Sequence, residues 1–221
     1  MNTELKKRII TSVLLLSLLA AMYLYSFIMI GALLIMAIII WIEFYALIFK
    51  IIKGNQFHDI FFRFIFRSVS LLYLSALVGF IFVIESHYID LKIYLLYSVL
   101  VAILSDIGGL VFGKTFKGKK LTKISPNKTI SGSIGSIVLS MVLIPIFYNE
   151  LIIYDLFTLI ILTIVISLIS QIGDLFISFL KRKAKVKDTS DLLPGHGGLL
   201  DRVDGIIFAA PFGVLLLNFL D

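Results

Sequence analysis

Several carboxylates stand where a charge is costly or where acids crowd together. Asp174 lies in an apolar run, SLISQIGDLFISFLKRK. A carboxylate at membrane depth costs at least about 2.5–3.5 kcal/mol on insertion scales and marks a functional site by default. Ser167, Ser170, Gln171, Asp174, Ser178 and Lys181 recur at three- and four-residue spacing, so a helix here carries one polar stripe opposite a Leu, Ile and Phe face. The competing reading of that stripe is an interhelical polar contact, such as a salt bridge to a basic residue. Asp106 follows Ser105 near the end of another apolar run and precedes Gly108, Gly109 and Gly113. Close helix packing explains those glycines as well as substrate contact does, but it explains the carboxylate less well. Asp201 and Asp204 flank Arg202 at a spacing of three, which puts both acids on one helical face. Acids are also favourable at any helix N-terminus.

Oxygen ligands from two segments, here Asp174 and Asp201, suit Mg²⁺ when a nucleotide phosphate completes its shell. The neighbouring basic residues can balance three or more phosphate charges. His196 sits in PGHGG and fits a metal ligand, a proton shuttle or a turn residue; without a second His nearby it does not make a zinc site. Gly197 and Gly198 leave backbone N–H groups open to an anion. The 181–204 segment has no GxxxxGK[ST] run, so that segment is not a P-loop. A Lys- and Asp-rich site at the bilayer edge suits a lipid phosphate together with a soluble polyanion such as a nucleotide. Phosphoryl or nucleotidyl transfer draws its acceleration mainly from positioning and charge neutralisation. A phosphomonoester is already anionic near pH 7 and attacks without a general base, so Asp, Lys and Arg suffice even if His196 takes no proton.

The elements that must position these residues are set by composition. Of 221 residues, 60% are hydrophobic and 15% charged, with a mean hydropathy of +1.07. Soluble domains run at about 45–50% apolar and about 25% charged. At roughly 20 residues per crossing, the chain reads as an all-α, polytopic membrane bundle of about seven helices forming a single domain over residues 1–221. A sizeable soluble domain, a disordered chain and a coiled coil are excluded. With no cysteine, so are a disulfide framework, a thiolate metal site and a cysteine nucleophile. The apolar runs are Ile9–Tyr25, Phe27–Phe49, Val69–Ile84, Ile93–Phe112, Ile134–Tyr148, Leu156–Leu180 and Ile206–Leu220. The first follows Lys6, Lys7 and Arg8 but runs almost unbroken into the second, which favours a retained anchor over a signal peptide.

A cytoplasmic N-terminus puts 19 of the 20 basic residues on the cytoplasmic side and only Lys92 outside, as the positive-inside rule requires. The net charge of +6 therefore reflects orientation and phosphate contact, not nucleic acid. The N-terminal cluster and the 50–67 loop need no further explanation. Residues 113–136 and 181–205 do, because orientation requires neither Asp188, Asp191, Asp201 and Asp204 nor a lone His among glycines. No internal repeat supports an inverted-repeat transporter.

The stretch from Ser178 to Asp204 resembles the signature of the phosphatidate cytidylyltransferase (CDP-diacylglycerol synthase) family. It matches at Ser178, Lys181, Arg182, Lys187, Asp188, Ser190, Pro194, His196, Gly197, Gly198, Asp201, Arg202 and Asp204. The first loop is similar at Asp106, Gly113, Lys114, Gly118, Leu121, Ser125-Pro126, Lys128-Thr129 and Gly132. The RII run, Trp41 and Glu43-Phe44-Tyr45 resemble the family's opening helices. The resemblance covers most of the chain and is sharp in the two loops. Many members carry an acid where this chain has Ser131, and members are commonly longer in the middle, so this chain resembles a compact variant.

The resemblance implies transfer of cytidylyl from CTP to phosphatidate, giving CDP-diacylglycerol and pyrophosphate, with Mg²⁺, K⁺ beside it in some members, and a homodimer. It makes Asp174 and Asp201 the metal ligands, and Asp174, Asp201, Lys181, Arg202 and His196 the catalytic set. Substrate contacts fall to Asp106, Ser125, Lys128, Ser178, Arg182, Lys187, Asp188, Gly197, Gly198 and Asp204, the last supporting the metal ligands from behind. With no Arg-rich, Ser-rich transit segment, the expected location is a bacterial inner membrane with the site facing the cytoplasm. The rival readings are a CTP-dependent transferase for another lipid acceptor and a transporter of anionic lipids. A degenerate scaffold without activity does not fit the intact acidic and basic positions.

Overall fold

Long apolar runs in a bilayer must satisfy every backbone N–H and C=O internally, and helix is the solution open to a single segment. The computed structural model describes residues 3–122, 125, 128–151, 154–195 and 197–220. In chain order the helices are α1 (Thr3–Leu24), α2 (Ser26–Ile51), α3 (Phe57–His87), α4 (Lys92–Phe116), α5 (Ile130–Ser140), α6 (Leu143–Phe147), α7 (Leu156–Lys183), α8 (Leu200–Val203) and α9 (Ile206–Leu220). Among the described residues the only β pairing is two isolated bridges, Lys120 with Thr129 and Leu193 with Gly197. Five segments are long and apolar enough to cross a membrane: Ser26–Ile51, Phe57–His87, Ile89–Phe116, Ile130–Phe147 and Leu156–Lys183. Shorter apolar helices cover Ile10–Leu24 and Ile206–Leu220. The chain is an all-α, polytopic integral membrane protein.

Several boundaries differ from the sequence reading. Helix α3 begins at Phe57, so Arg63 and Arg67 lie on a helix and not in a 50–67 loop. Aromatic faces from α2 cover them: the Arg67 guanidinium lies 4.7 Å from the Trp41 ring centre and 5.1 Å from Tyr45, and Arg63 lies 5.0 Å from Phe49. Cation–π contact of this kind lets a charge sit on an otherwise apolar helix. The fifth apolar run divides into α5 and α6 around Met141 and Val142, because Pro145 has no N–H to return to Met141. Finally, α4 extends to Phe116, α5 starts at Ile130 and α7 runs to Lys183. Helix thus covers the ends of both basic segments.

The chain divides into two compact units. The first, Met1–His87 with Leu180–Val203, packs α1 and α3 against α2, and α8 also rests on α2. The second, Tyr88–Phe179 with Asp204–Asp221, is organised on α4, which packs along α5 and α9. Its core includes Tyr97, Val101, Ile166 and Leu217, all fully buried, and the Tyr97 hydroxyl meets Thr163 Oγ1 at 2.6 Å. Helices α4 and α5 approach through small residues. A Cβ on Gly108 would lie 2.9 Å from the Ser136 Cα, and one on Gly132 would lie 2.8 Å from the Gly109 carbonyl oxygen. The glycines of the Asp106 segment are therefore packing residues.

Candidate functional site

The 184–199 segment belongs to the first unit, and a buried carboxylate on α2 holds it there. Glu43 is 5% exposed. Its Oε1 accepts from Ser190 Oγ (2.6 Å) and the Leu199 N–H (3.0 Å), and its Oε2 from Thr189 Oγ1 (2.9 Å) and the Leu200 N–H (2.8 Å). Glu43 thus satisfies orphan amides at the start of α8, which otherwise have no partner. On α1, Thr11 Oγ1 donates to the Pro194 carbonyl at 3.1 Å. The segment turns at Gly195 (φ 76) and Gly197 (φ 80), conformations open to glycine without strain.

This fold of the segment shapes the Asp201 site. Asp201 Oδ1 accepts from Lys181 Nζ at 2.6 Å. Oδ2 accepts from the Thr189 N–H (2.8 Å), Thr189 Oγ1 (2.9 Å) and the Gly198 N–H (3.0 Å). The Asp201 side chain is 2% exposed and that of Lys181 13%. Burial raises the Asp201 pKa, but the Lys181 ammonium and the two amides outweigh it and hold the carboxyl below the ordinary aspartate value. A Cβ on Gly198 would run 2.7 Å from Glu43 Oε2, so no larger residue fits between the two carboxylates. The Thr189 hydroxyl touches both of them with one proton to donate.

The second unit positions the other loop. Helix α4 ends at Lys117 (φ 52) and Gly118 (φ 111), which turn the chain back. The Leu121 N–H then donates to the Lys128 carbonyl at 2.8 Å, and the Ile130 N–H to the Lys119 carbonyl at 3.0 Å. Thr129 caps α5 through the Gly132 N–H at 3.1 Å, a standard N-cap geometry. Ser131 donates to the Lys117 carbonyl, so this position closes the loop. So shaped, the loop presents Lys128 Nζ to Asp174 Oδ2 as an ion pair, about a quarter exposed on each side. Ser178 Oγ donates to Asp174 Oδ1 at 3.3 Å.

The polar stripe on α7 divides by role. Towards its start, Ser167 Oγ meets Ser105 Oγ at 3.0 Å, and Gln171 Oε1 accepts from Ser133 Oγ at 2.5 Å. These are interhelical contacts. Ser170 is fully buried, and its Oγ has no partner among the described residues. From Asp174 onward the stripe is ionic.

Of the expected site residues, the structure brings together Lys181, Asp201 and Gly198 in one unit, and Lys128, Asp174 and Ser178 in the other. Gly197 flanks the first set, and Asp204 is buried with its Oδ1 on the Gly205 N–H at 2.9 Å. Ser125 is buried in the 117–129 loop, and Asp106 is half-buried on α4. Arg182, Lys187, Asp188 and Arg202 are exposed. His196 lies outside the described residues. Glu43 and Thr189 were not among the expected site residues. The signal for Glu43 was present, since it is a lone acid within the apolar run of α2.

Among the described residues no three His, Asp or Glu side chains gather as a metal cage. Mg²⁺ at nucleotide sites is usually held by one or two carboxylates plus substrate phosphates, and this donor set fits an ion that arrives with its nucleotide. Asp174 offers the more open oxygen, because Oδ1 has only the 3.3 Å contact to Ser178.

Comparison with known proteins agrees with this chemistry. The model of the cytidylyltransferase family matches residues 2–220. A phosphatidate cytidylyltransferase of Staphylococcus saprophyticus is 36% identical over 182 residues, covering 81% of this chain and 68% of the relative. One from Staphylococcus aureus strain COL is 37% identical with the same coverage. One from Staphylococcus haemolyticus is 42% identical over 127 residues, covering 56% of this chain and 48% of the relative. With lysine–carboxylate pairs on both sets of motif residues and the match running nearly end to end, this chain belongs to the cytidylyltransferase family.

Proposed function

We propose that this protein transfers cytidylyl from CTP to phosphatidate, forming CDP-diacylglycerol and pyrophosphate at the cytoplasmic face of a bacterial inner membrane, as a homodimer. The observation that carries the reading is the Lys181–Asp201 pair, buried and saturated with hydrogen bonds on signature residues. Burying an ion pair this deeply does little for stability, whereas phosphate chemistry uses both of its charges.

Phosphatidate is a phosphomonoester, largely dianionic near neutral pH. One of its oxygens forms a bond to the α-phosphorus of CTP while the bond from that phosphorus to the α–β bridging oxygen breaks, and pyrophosphate leaves with the electron pair. No proton has to move first, so the residues need only bind, align and neutralise. Lys128 and Lys181 turn from their carboxylates to phosphate oxygens, and Arg182, Lys187 and Arg202 add charge from exposed positions. The Gly197 backbone and Ser125, Ser178, Asp106 and Asp188 contribute hydrogen bonds to the bound substrates, whereas the Gly198 N–H, expected to be open to an anion, is taken by Asp201. Asp174 and Asp201 would hold Mg²⁺, with Asp204 supporting and K⁺ as a second cation, and the ion would supply charge neutralisation for the triphosphate.

The test is to supply purified protein with α-labelled CTP and a panel of lipid acceptors. Label entering lipid only with phosphatidate is the expected result. Label entering a polyprenyl or ether-lipid phosphate instead would replace the acceptor, and no labelled lipid from folded protein would remove the transfer reading.

A further inference from the structure

We propose that the groove between α2 and α3 seats one acyl chain of phosphatidate awaiting transfer, with the lipid's phosphate held at Arg67 until it moves to Lys128 and Lys181; this rests on the transfer reading above. The groove encloses about 570 Å³ and is lined by two matched stripes, from Ile30 to Trp41 on α2 and from Leu71 to Phe82 on α3. The eleven helical steps from Ile30 to Trp41, at about 1.5 Å each, give a length of about 16 Å. One leaflet of a hydrocarbon core about 30 Å thick is about 15 Å deep, so the groove matches one chain of one leaflet.

Its width comes from small residues. Ala37, Ser75 and Gly79 line it, and a Cβ on Gly79 would touch nothing within 4 Å. Between membrane helices small residues normally allow close contact, as Gly108 and Gly132 do in the other unit. Here they leave space. The ends of the groove are unlike. Beyond Phe82, Ser26 Oγ is bonded to Glu85. One turn before Leu71 lies Arg67, exposed and stacked on Trp41 and Tyr45, with Arg63 a turn further. Among the described residues neither guanidinium has a carboxylate within 4.0 Å. Stacking fixes the plane of Arg67 while its N–H edge stays available for a phosphate fork. An apolar slot one leaflet long, with unpaired cations at one end and an acid at the other, selects an anionic lipid and sets its direction.

Trp41 is the only tryptophan in the chain and lines the groove, so its fluorescence reports the occupant. The full chain is reconstituted in phosphatidylcholine bilayers without CTP. At equal mole fraction, either phosphatidate or phosphatidylcholine carries brominated chains. The expected result is stronger quenching by brominated phosphatidate, with the preference reduced about fivefold in Arg67→Gln, the worth of one cation near anionic lipid. In Gly79→Leu, whose Cβ meets nothing within 4 Å and whose side chain extends into the slot, the preference disappears while helicity by circular dichroism is unchanged. Equal quenching by both lipids would show that Trp41 meets only bulk lipid and would overturn the proposal. Quenching by neither, with Ile38→Cys cross-linking to itself between copies, would show a second copy seated in the groove and would overturn it too. Selective quenching by a protein that makes no CDP-lipid supports the groove and removes only the transfer reading.

Discussion

At the scale of single residues, two buried carboxylates, Asp201 and Glu43, do different work with the same chemistry. Asp201 is paired with Lys181, and removing one partner of a buried pair costs about 3–5 kcal/mol because the other charge stays behind. Asp201→Asn is therefore expected to lower the unfolding free energy by about that amount in detergent at neutral pH. The folded-state pKa of Asp201 lies below the ordinary aspartate value, so its contribution is complete above the unfolded carboxyl range, about 3.9. It is lost as pH falls through the lower folded value. The gap between wild type and Asp201→Asn should accordingly close on acidification, as read by denaturant titration at several pH values. Glu43 has no cation in its set and accepts from four donors. A Gln there points an amide N–H₂ at two of those donors. Glu43→Gln should cost about 1–3 kcal/mol and loosen the 189–200 segment, read as faster amide exchange at Leu199 and Leu200.

At the scale of elements, packing between α4 and α5 is expected to be the least tolerant of substitution. A side chain on Gly108 meets the backbone of Gly135 and Ser136, and overpacking of this kind typically costs 1–3 kcal/mol, taken as about 2. Gly31 in α2 faces open space, so Gly31→Ala should be neutral or stabilising by up to about 1 kcal/mol. Thermal unfolding of the two alanine variants, Gly108→Ala and Gly31→Ala, compares them directly. Apolar runs and their order were legible in the sequence because the bilayer demands them of each segment separately. The start of α3 was not, because Arg63 and Arg67 read as loop charges until the facing Trp41, Tyr45 and Phe49 are known. The same holds within the site. The spacing of Asp174, Ser178 and Lys181 on one helical face is local information, and so is the signature run to Asp204. The partner Lys128, and the hold of Glu43 on a segment about 150 residues away, are long-range pairings that no spacing within a segment encodes.

At the scale of the whole molecule, an apolar bundle carries the charged segments 113–136 and 181–205, and the proposed reaction requires both to face one compartment. A chain with no cysteine is a ready background for single-cysteine labelling. Lys120→Cys and Leu192→Cys, both at exposed positions, should react with an impermeant maleimide only from the cytoplasmic side, and Glu150→Cys, also exposed, only from the other. Labelling of Lys120→Cys and Leu192→Cys from opposite sides would break the proposed site apart. The most direct measurement of the central claim is lipid-bound label formed from α-labelled CTP and phosphatidate by wild type and by Asp174→Asn. Purified protein is used, with Mg²⁺ and with a chelator. CDP-diacylglycerol is expected to form, to disappear with the chelator and to fall by about 10²–10³-fold in Asp174→Asn, the range for one lost charge contact to the transition state. CDP-diacylglycerol formed equally by the variant, or not formed at all by folded wild type, would contradict the central claim.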